Sequence, residues 1–108
     1  MKHKIVLVPF PFDDFSSTKV RPAVCLTDKI DKHNHIVIAF ITSQISKDKS
    51  ESDISLESND ETGLKVKSLM RLHRLTTIPA ELIQRSLGQF PKTKEKELKE
   101  KLSRLFGI

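Results

Sequence analysis

Residues 8–27 read VPFPFDDFSSTKVRPAVCLT, and with residues 36–44, IVIAFITSQ, they set the architecture of the chain. In the first segment two apolar runs flank a polar loop that closes on Arg21-Pro22, so an arginine stands where a strand begins. Upstream, residues 4–10 are rich in Ile, Val and Leu and end in prolines that cannot donate ladder hydrogen bonds, which predicts a strand apolar on both faces and therefore central. The loop 11–20 carries Asp13, Asp14, Ser16, Ser17 and Thr18, whose side chains compete with a ladder for backbone groups. Residues 21–26 form a second predicted strand, with Pro22 tolerated at its start. After the turn DKIDKHNH, residues 36–42 form a third, the most apolar of the chain.

Downstream of Gln44 the polar run ISKDKSESD reads as a loop and residues 54–57 as a short strand with Ile54 and Leu56 alternating. Residues 61–64, ETGL, form a turn in which Gly63 can supply positive φ. In residues 66–75 a period of two puts Val66, Ser68, Met70 and Leu72 on one face and Lys67, Leu69, Arg71 and His73 on the other. Pro79 marks a corner at 76–80, and in the ambiguous segment 82–90 the spacing of Leu82, Ile83 and Leu87 suits a helix. Residues 94–106 have the clearest helical period, with Thr93 as the expected N-cap and Leu98, Leu102, Leu105 and Phe106 as the apolar stripe. Glutamates interleave with the lysines of this helix, which predicts a solvated outer face rather than a nucleic-acid-binding one.

At 108 residues the chain fits one domain, and no apolar run approaches the ~20 residues of a membrane helix. The N-terminus MKHKIVLVPFPF has the charge of a signal peptide but not its small-residue cleavage site, so a cytoplasmic location is expected. Cys25, the only cysteine, excludes an internal disulfide and lies in an apolar run without a histidine or cation beside it in sequence, as a core residue does. His33 and His35 form an H-x-H pair on a polar turn; solvation of a hairpin tip explains it better than metal binding. Charge is segregated: residues 1–47 hold seven Lys/Arg and four acids (+3), 48–62 one lysine and six acids (−5), and 63–108 eleven Lys/Arg and four acids (+7). Such a distribution suits either solubility or attraction of a polyanion through phosphate contacts.

Were the polyanion an RNA cut without a metal, the chemistry would require deprotonating a 2′-hydroxyl, stabilising a phosphorane-like transition state and protonating the leaving 5′-oxygen. Arg21 and Arg71 are charged forks suited to phosphate oxygens, Thr42 and Ser43 offer hydroxyls at a strand end, and His73 is the side-chain type that exchanges protons near neutrality. No Cys/His/carboxylate cluster has metal-ligand spacing. Each residue also has an ordinary reading: RP at a strand start is common, and Thr-Ser is frequent turn chemistry. Phe12 or Phe15 with Lys19 could stack and hold an unpaired nucleotide.

The segments PFPFDD, KVRPAV, ITSQ, ETGL, SLMRLHRL and LIQRSLGQF, in this order, resemble the MazF/PemK family of toxin endoribonucleases over nearly the whole chain. The resemblance implies a mainly β fold with α, a small SH3-like β-barrel with a C-terminal helix, occupying residues 1–108 as a single domain, and a strand within 82–90. It implies a type II toxin that cuts single-stranded mRNA without cofactor to 2′,3′-cyclic phosphate and 5′-hydroxyl ends. It further implies a homodimer silenced by a cognate MazE-like antitoxin in the RNA groove, with DNA engaged only within an autoregulatory complex. Arg21 matches the arginine of the family's RP motif, Thr42 the threonine ending the third strand, Ser43 a phosphate-binding serine and Arg71 an arginine used as general acid. Gln44, Lys19 and Phe12 fall in the expected substrate-binding set. Two departures stand out: the first loop lacks the family's usual glycine, and His73 occupies a position where many relatives carry an aspartate assigned as general base. The alternative is a weak or inactive member that binds nucleic acid or targets gyrase, and a weaker one is a peptide-binding barrel.

Overall fold

The computed structural model describes residues 1–9, 19–45 and 50–108. Six strands occur in chain order: β1 (Lys4–Pro9), β2 (Val20–Cys25), β3 (His35–Thr42), β4 (Asp53–Leu56), β5 (Ser68–Pro79) and β6 (Arg85–Gln89). They form one curled antiparallel sheet in the order β4-β5-β3-β2-β1-β6, followed by the helix α1 (Glu95–Phe106). The mainly β architecture with a C-terminal helix is the one the resemblance implied, its small SH3-like barrel taking the form of a half-barrel in one curled sheet.

β1, β2 and β3 are apolar on both faces because both faces are covered. Ile5, Val24, Ala39 and Ile41 join a cluster with Met70, Leu72 and Phe90 that Leu98 of α1 closes, with Leu102 packed against it. Val6, Val8, Ala23, Cys25, Ile36, Ile38 and Phe40 form a second cluster on the other side, against Ile78, Ala80 and Ile83. Burial also pushes the Cys25 thiol pKa up. At the β2–β3 turn, Asn34 takes positive φ (56°), which asparagine tolerates better than most residues. There Asp31 accepts from the amides of His33 and His35 and pairs with the His35 ring at 2.8 Å, so its pKa is lowered, chiefly by that ring.

Several expected boundaries move, each for a local reason. Residues 76–79 are strand rather than corner: Thr76, Thr77 and Ile78 are β-formers, and they pair with Ile38, Val37 and Ile36. Val66 and Lys67 precede β5 instead of opening it. Residues 85–89 are a strand and Leu82 lies in a 3₁₀ turn (Ala80–Leu82), resolving the ambiguity of 82–90. Thr93 is not the N-cap. Pro91 is followed by a 3₁₀ turn (Lys92–Lys94), and α1 opens from Lys94 without a side-chain cap, with Glu95 and Glu97 in its first turn to meet the helix dipole. Of the apolar stripe only Leu98 is fully buried; Leu105 and Phe106 are exposed. Nor is the polar face of α1 wholly solvated. Lys101 Nζ donates to the Asp53 carbonyl at 2.6 Å and Lys94 Nζ to the Ser55 carbonyl, capping the outer edge of β4, where unpaired carbonyls would otherwise invite another strand.

The ETGL turn is seated on β6 by two glycines. Gly63 has φ 69°, and a Cβ there would overlap the Leu87 backbone; one at Gly88 would overlap the backbone of Glu61 and Thr62. Gln89 N–H donates to Glu61 O at 2.7 Å across this contact. The turn therefore lies close enough to β6 to form a wall.

Candidate active site

That wall encloses one side of a pocket of about 610 Å³. Arg21 and Pro22 reach it from β2, Thr42 from the end of β3 with Ser43 and Gln44 just beyond, Arg71 and Arg74 from β5, Arg85 and Leu87 from β6, and Gly63, Leu64 and Lys65 from the turn. Three chain segments far apart in sequence thus bring Arg21, Thr42, Ser43, Gln44 and Arg71 to one cavity. Its described lining carries five cationic side chains, Arg21, Lys65, Arg71, Arg74 and Arg85, and no carboxylate or imidazole. Leu7, Pro22, Phe40 and Leu87 supply apolar wall between them. Thr42 Oγ1 accepts from the Gln44 amide at 3.1 Å, which fixes the turn leaving β3 and holds this hydroxyl at the cavity.

The geometry originates in an interruption of β5. Its early part pairs with β4 on one side and the end of β3 on the other, and its later part pairs with the start of β3. Between them the register shifts, so that residues 71–74 stand against Phe40 alone. Strict alternation, which joined Arg71 with His73 and Leu69 on one face, fails here. Leu69 is buried, Arg71 and Arg74 both line the cavity, and His73 does not. Bulges of this kind re-aim side chains and are common beside active sites.

His73 has other neighbours. Its Nδ1 shares a hydrogen with Ser52 Oγ at 3.1 Å and lies 4.0 Å from Asp53 Oδ1. The same carboxylate oxygen accepts from Arg71 Nε at 3.2 Å. Asp53 is fully buried, opposite Arg71 in the β4–β5 register, although the polar run that contains it reads as a loop. Lys19 is exposed and is not among the lining residues. Phe12 and Phe15, with the glycine-free loop around them, lie outside the described residues.

Among the described residues no group of three or more His, Cys, Asp or Glu side chains could hold a metal ion. A guanidinium-lined cavity suits an anion: five cationic side chains, half-buried Arg71 and exposed Arg21, Lys65, Arg74 and Arg85, stand beside an apolar wall and can pair with phosphate oxygens. Arg74, Arg85 and Lys65 escaped the sequence reading. Arg74 is an odd number of residues from Arg71, which in an unbroken strand sends it to the opposite face, and Arg85 lay in an element of undecided type.

A family profile described as PemK-like, MazF-like toxin of type II toxin-antitoxin system matches residues 2–106. The chain belongs to this toxin family. Among solved structures, the Mycobacterium tuberculosis toxin MazF-mt6 is similar with a TM-score of 0.77 at 19% identity, over 97% of each chain. A mycobacterial endoribonuclease in complex with its cognate antitoxin is similar with a TM-score of 0.75 at 10% identity, over 100% of this chain and 95% of that one. At such identities these two likenesses speak for the PemK/MazF fold and not for residue roles. The search of curated proteins yields no match. No helix among the described residues is long and apolar enough to cross a membrane.

Proposed function

We propose that this PemK/MazF-family chain is a toxin endoribonuclease that cleaves single-stranded RNA, mRNA in the cell, at the Arg21–Thr42–Arg71 pocket without a metal ion. The observation that carries this reading is the convergence of those residues, from β2, β3 and β5, on one cationic cavity with no described carboxylate in its lining. The scissile phosphate lies among the guanidiniums, which stabilise charge as the 2′-hydroxyl attacks phosphorus. Ser43 and Gln44 hold a neighbouring group, and the 5′-oxygen leaves with a proton donated by Arg71, which solvent then returns to the guanidinium. The products are a 2′,3′-cyclic phosphate and a 5′-hydroxyl. His73, the acceptor suggested by sequence, bonds Ser52 and does not line the cavity, so in this reading solvent takes the 2′-hydroxyl proton. An acidic stretch of a cognate MazE-like antitoxin fits the same cations and would exclude RNA from them. A cytoplasmic homodimer of this single domain (1–108), meeting DNA only in an autoregulatory complex with that antitoxin, completes the proposal.

The position of His73 also favours a second reading: a member that binds nucleic acid, or acts on gyrase, with no turnover. Incubating a single-stranded RNA oligonucleotide with the protein in EDTA separates the two. Fragments ending in cyclic phosphate support the nuclease. RNA retained intact supports the binder, and neither cleavage nor retention removes both.

A further inference from the structure

We infer that Asp53 is a positioning residue for the pocket: it grips Arg71 by Nε and so directs the terminal fork of the guanidinium at the bound phosphate. The inference rests on the phosphodiester reading of the cavity and adds a residue from outside its lining. Arg71 needs such a hold because it sits where β5 parts from β3, with ladder pairing only toward β4. Its partner in that pairing is Asp53. The carboxylate is itself firmly placed. Oδ1 accepts from Arg71 Nε at 3.2 Å and Oδ2 from the Ser50 amide at 2.9 Å, while the Asp53 amide donates to Ser50 O at 3.0 Å and its carbonyl accepts from Lys101 at 2.6 Å.

The Arg71 guanidinium and the His73 imidazole face the carboxylate from β5, the Ser50 amide meets its other oxygen, and Lys101 from α1 reaches the residue's backbone carbonyl. A fully buried carboxylate is costly to desolvate, and an apolar pair of similar volume often serves stability equally well. What an apolar pair cannot do is fix a guanidinium by one nitrogen and leave two for phosphate, the bidentate use to which arginine is suited. Arg71 is 27% exposed, consistent with a side chain anchored at Nε and open at its tip to the cavity it lines.

The test is a double-mutant cycle with Asp53→Asn and Arg71→Ala, reading single-turnover RNA cleavage, together with hydrogen exchange at arginine Nε–H by NMR. Asp53→Asn in the wild-type background is expected to lower kcat ~30-fold with KM within ~2-fold, the signature of an interaction misaligned in the transition state. On Arg71→Ala the same change should cost less than ~2-fold, because nothing remains to aim. In the unmutated protein the Arg71 Nε–H should exchange at least ~10-fold more slowly than those of Arg74 and Arg85.

Equal losses in both backgrounds would make Asp53 merely structural and overturn the inference, as would Arg71 exchange as fast as that of Arg74 and Arg85. The exchange arm needs no variant, so it decides even where Asp53→Asn does not fold. It also keeps the two readings apart: absence of cleavage by the unmutated protein defeats the nuclease reading, whereas fast exchange defeats the Asp53 inference alone.

Discussion

Two basic regions of this molecule have similar composition and different surroundings. In the helix and the turn before it, Lys94 and Lys101 end on carbonyls of β4, and Lys101 is also 2.9 Å from Glu97. These cations satisfy groups on the protein itself. In the pocket, Arg21, Arg71, Arg74, Arg85 and Lys65 surround a cavity whose described lining contains no carboxylate. Net charge therefore says little about where a polyanion binds. The deciding property is what surrounds the cation, a protein carbonyl as for Lys94 and Lys101 or a cavity as for the guanidinium of Arg71 beyond its Nε bond to Asp53, and only the fold reveals it.

The sharpest way to break this contrast is to remove the central forks. Arg21→Ala with Arg71→Ala should lower RNA cleavage by at least ~10³-fold, since one preorganised donor to a developing oxyanion commonly accounts for 10²–10³. Single-turnover rates check this, with melting curves to confirm folding. Next in size is stability at the seat of the pocket wall. Gly88→Ala forces a methyl group into the Glu61 and Thr62 backbone and should destabilise by ~2–3 kcal/mol in urea unfolding, within the range of overpacking.

On the helix side, Lys101→Met removes a charged hydrogen bond to the Asp53 carbonyl and should cost ~1–2 kcal/mol. His73→Ala should reduce cleavage less than ~10-fold, whereas loss of a true general base commonly costs 10²–10⁴; a loss in that higher range would return His73 to the chemistry. The smallest effect concerns Cys25. Because burial raises its thiol pKa, the thiolate fraction at pH 8 is below that of a free cysteine, and labelling by a thiol reagent should require unfolding.

Most of the fold was readable in the sequence because its central strands are buried on both faces and so appear as continuous apolar runs, as in 4–10 and 36–42. Short or interrupted elements were harder. β6 shares its composition with a helix, and only its pairing with β1 and its two close glycine contacts make it a strand. The N-cap expected at Thr93 was lost to a 3₁₀ turn that no capping rule anticipates. Of the residues that line the pocket, Arg21, Thr42, Ser43, Gln44 and Arg71 are those that motif order singles out. Arg74 and Arg85 were not, because one depends on a register shift against Phe40 and the other on a strand assignment. Asp53 lay in an acidic run that reads as solvated loop, and nothing local signals that one of its carboxylates goes inside.

The most direct test sets the two basic regions against each other in one cleavage assay. Arg74→Gln with Arg85→Gln, and separately Lys96→Gln with Lys99→Gln on α1, remove two positive charges each and alter net charge equally. The account predicts that the pocket pair loses at least ~10-fold in kcat/KM while the helix pair stays within ~2-fold. Equal losses, or a larger loss from the helix pair, would contradict the pocket as the place where RNA is held and cut.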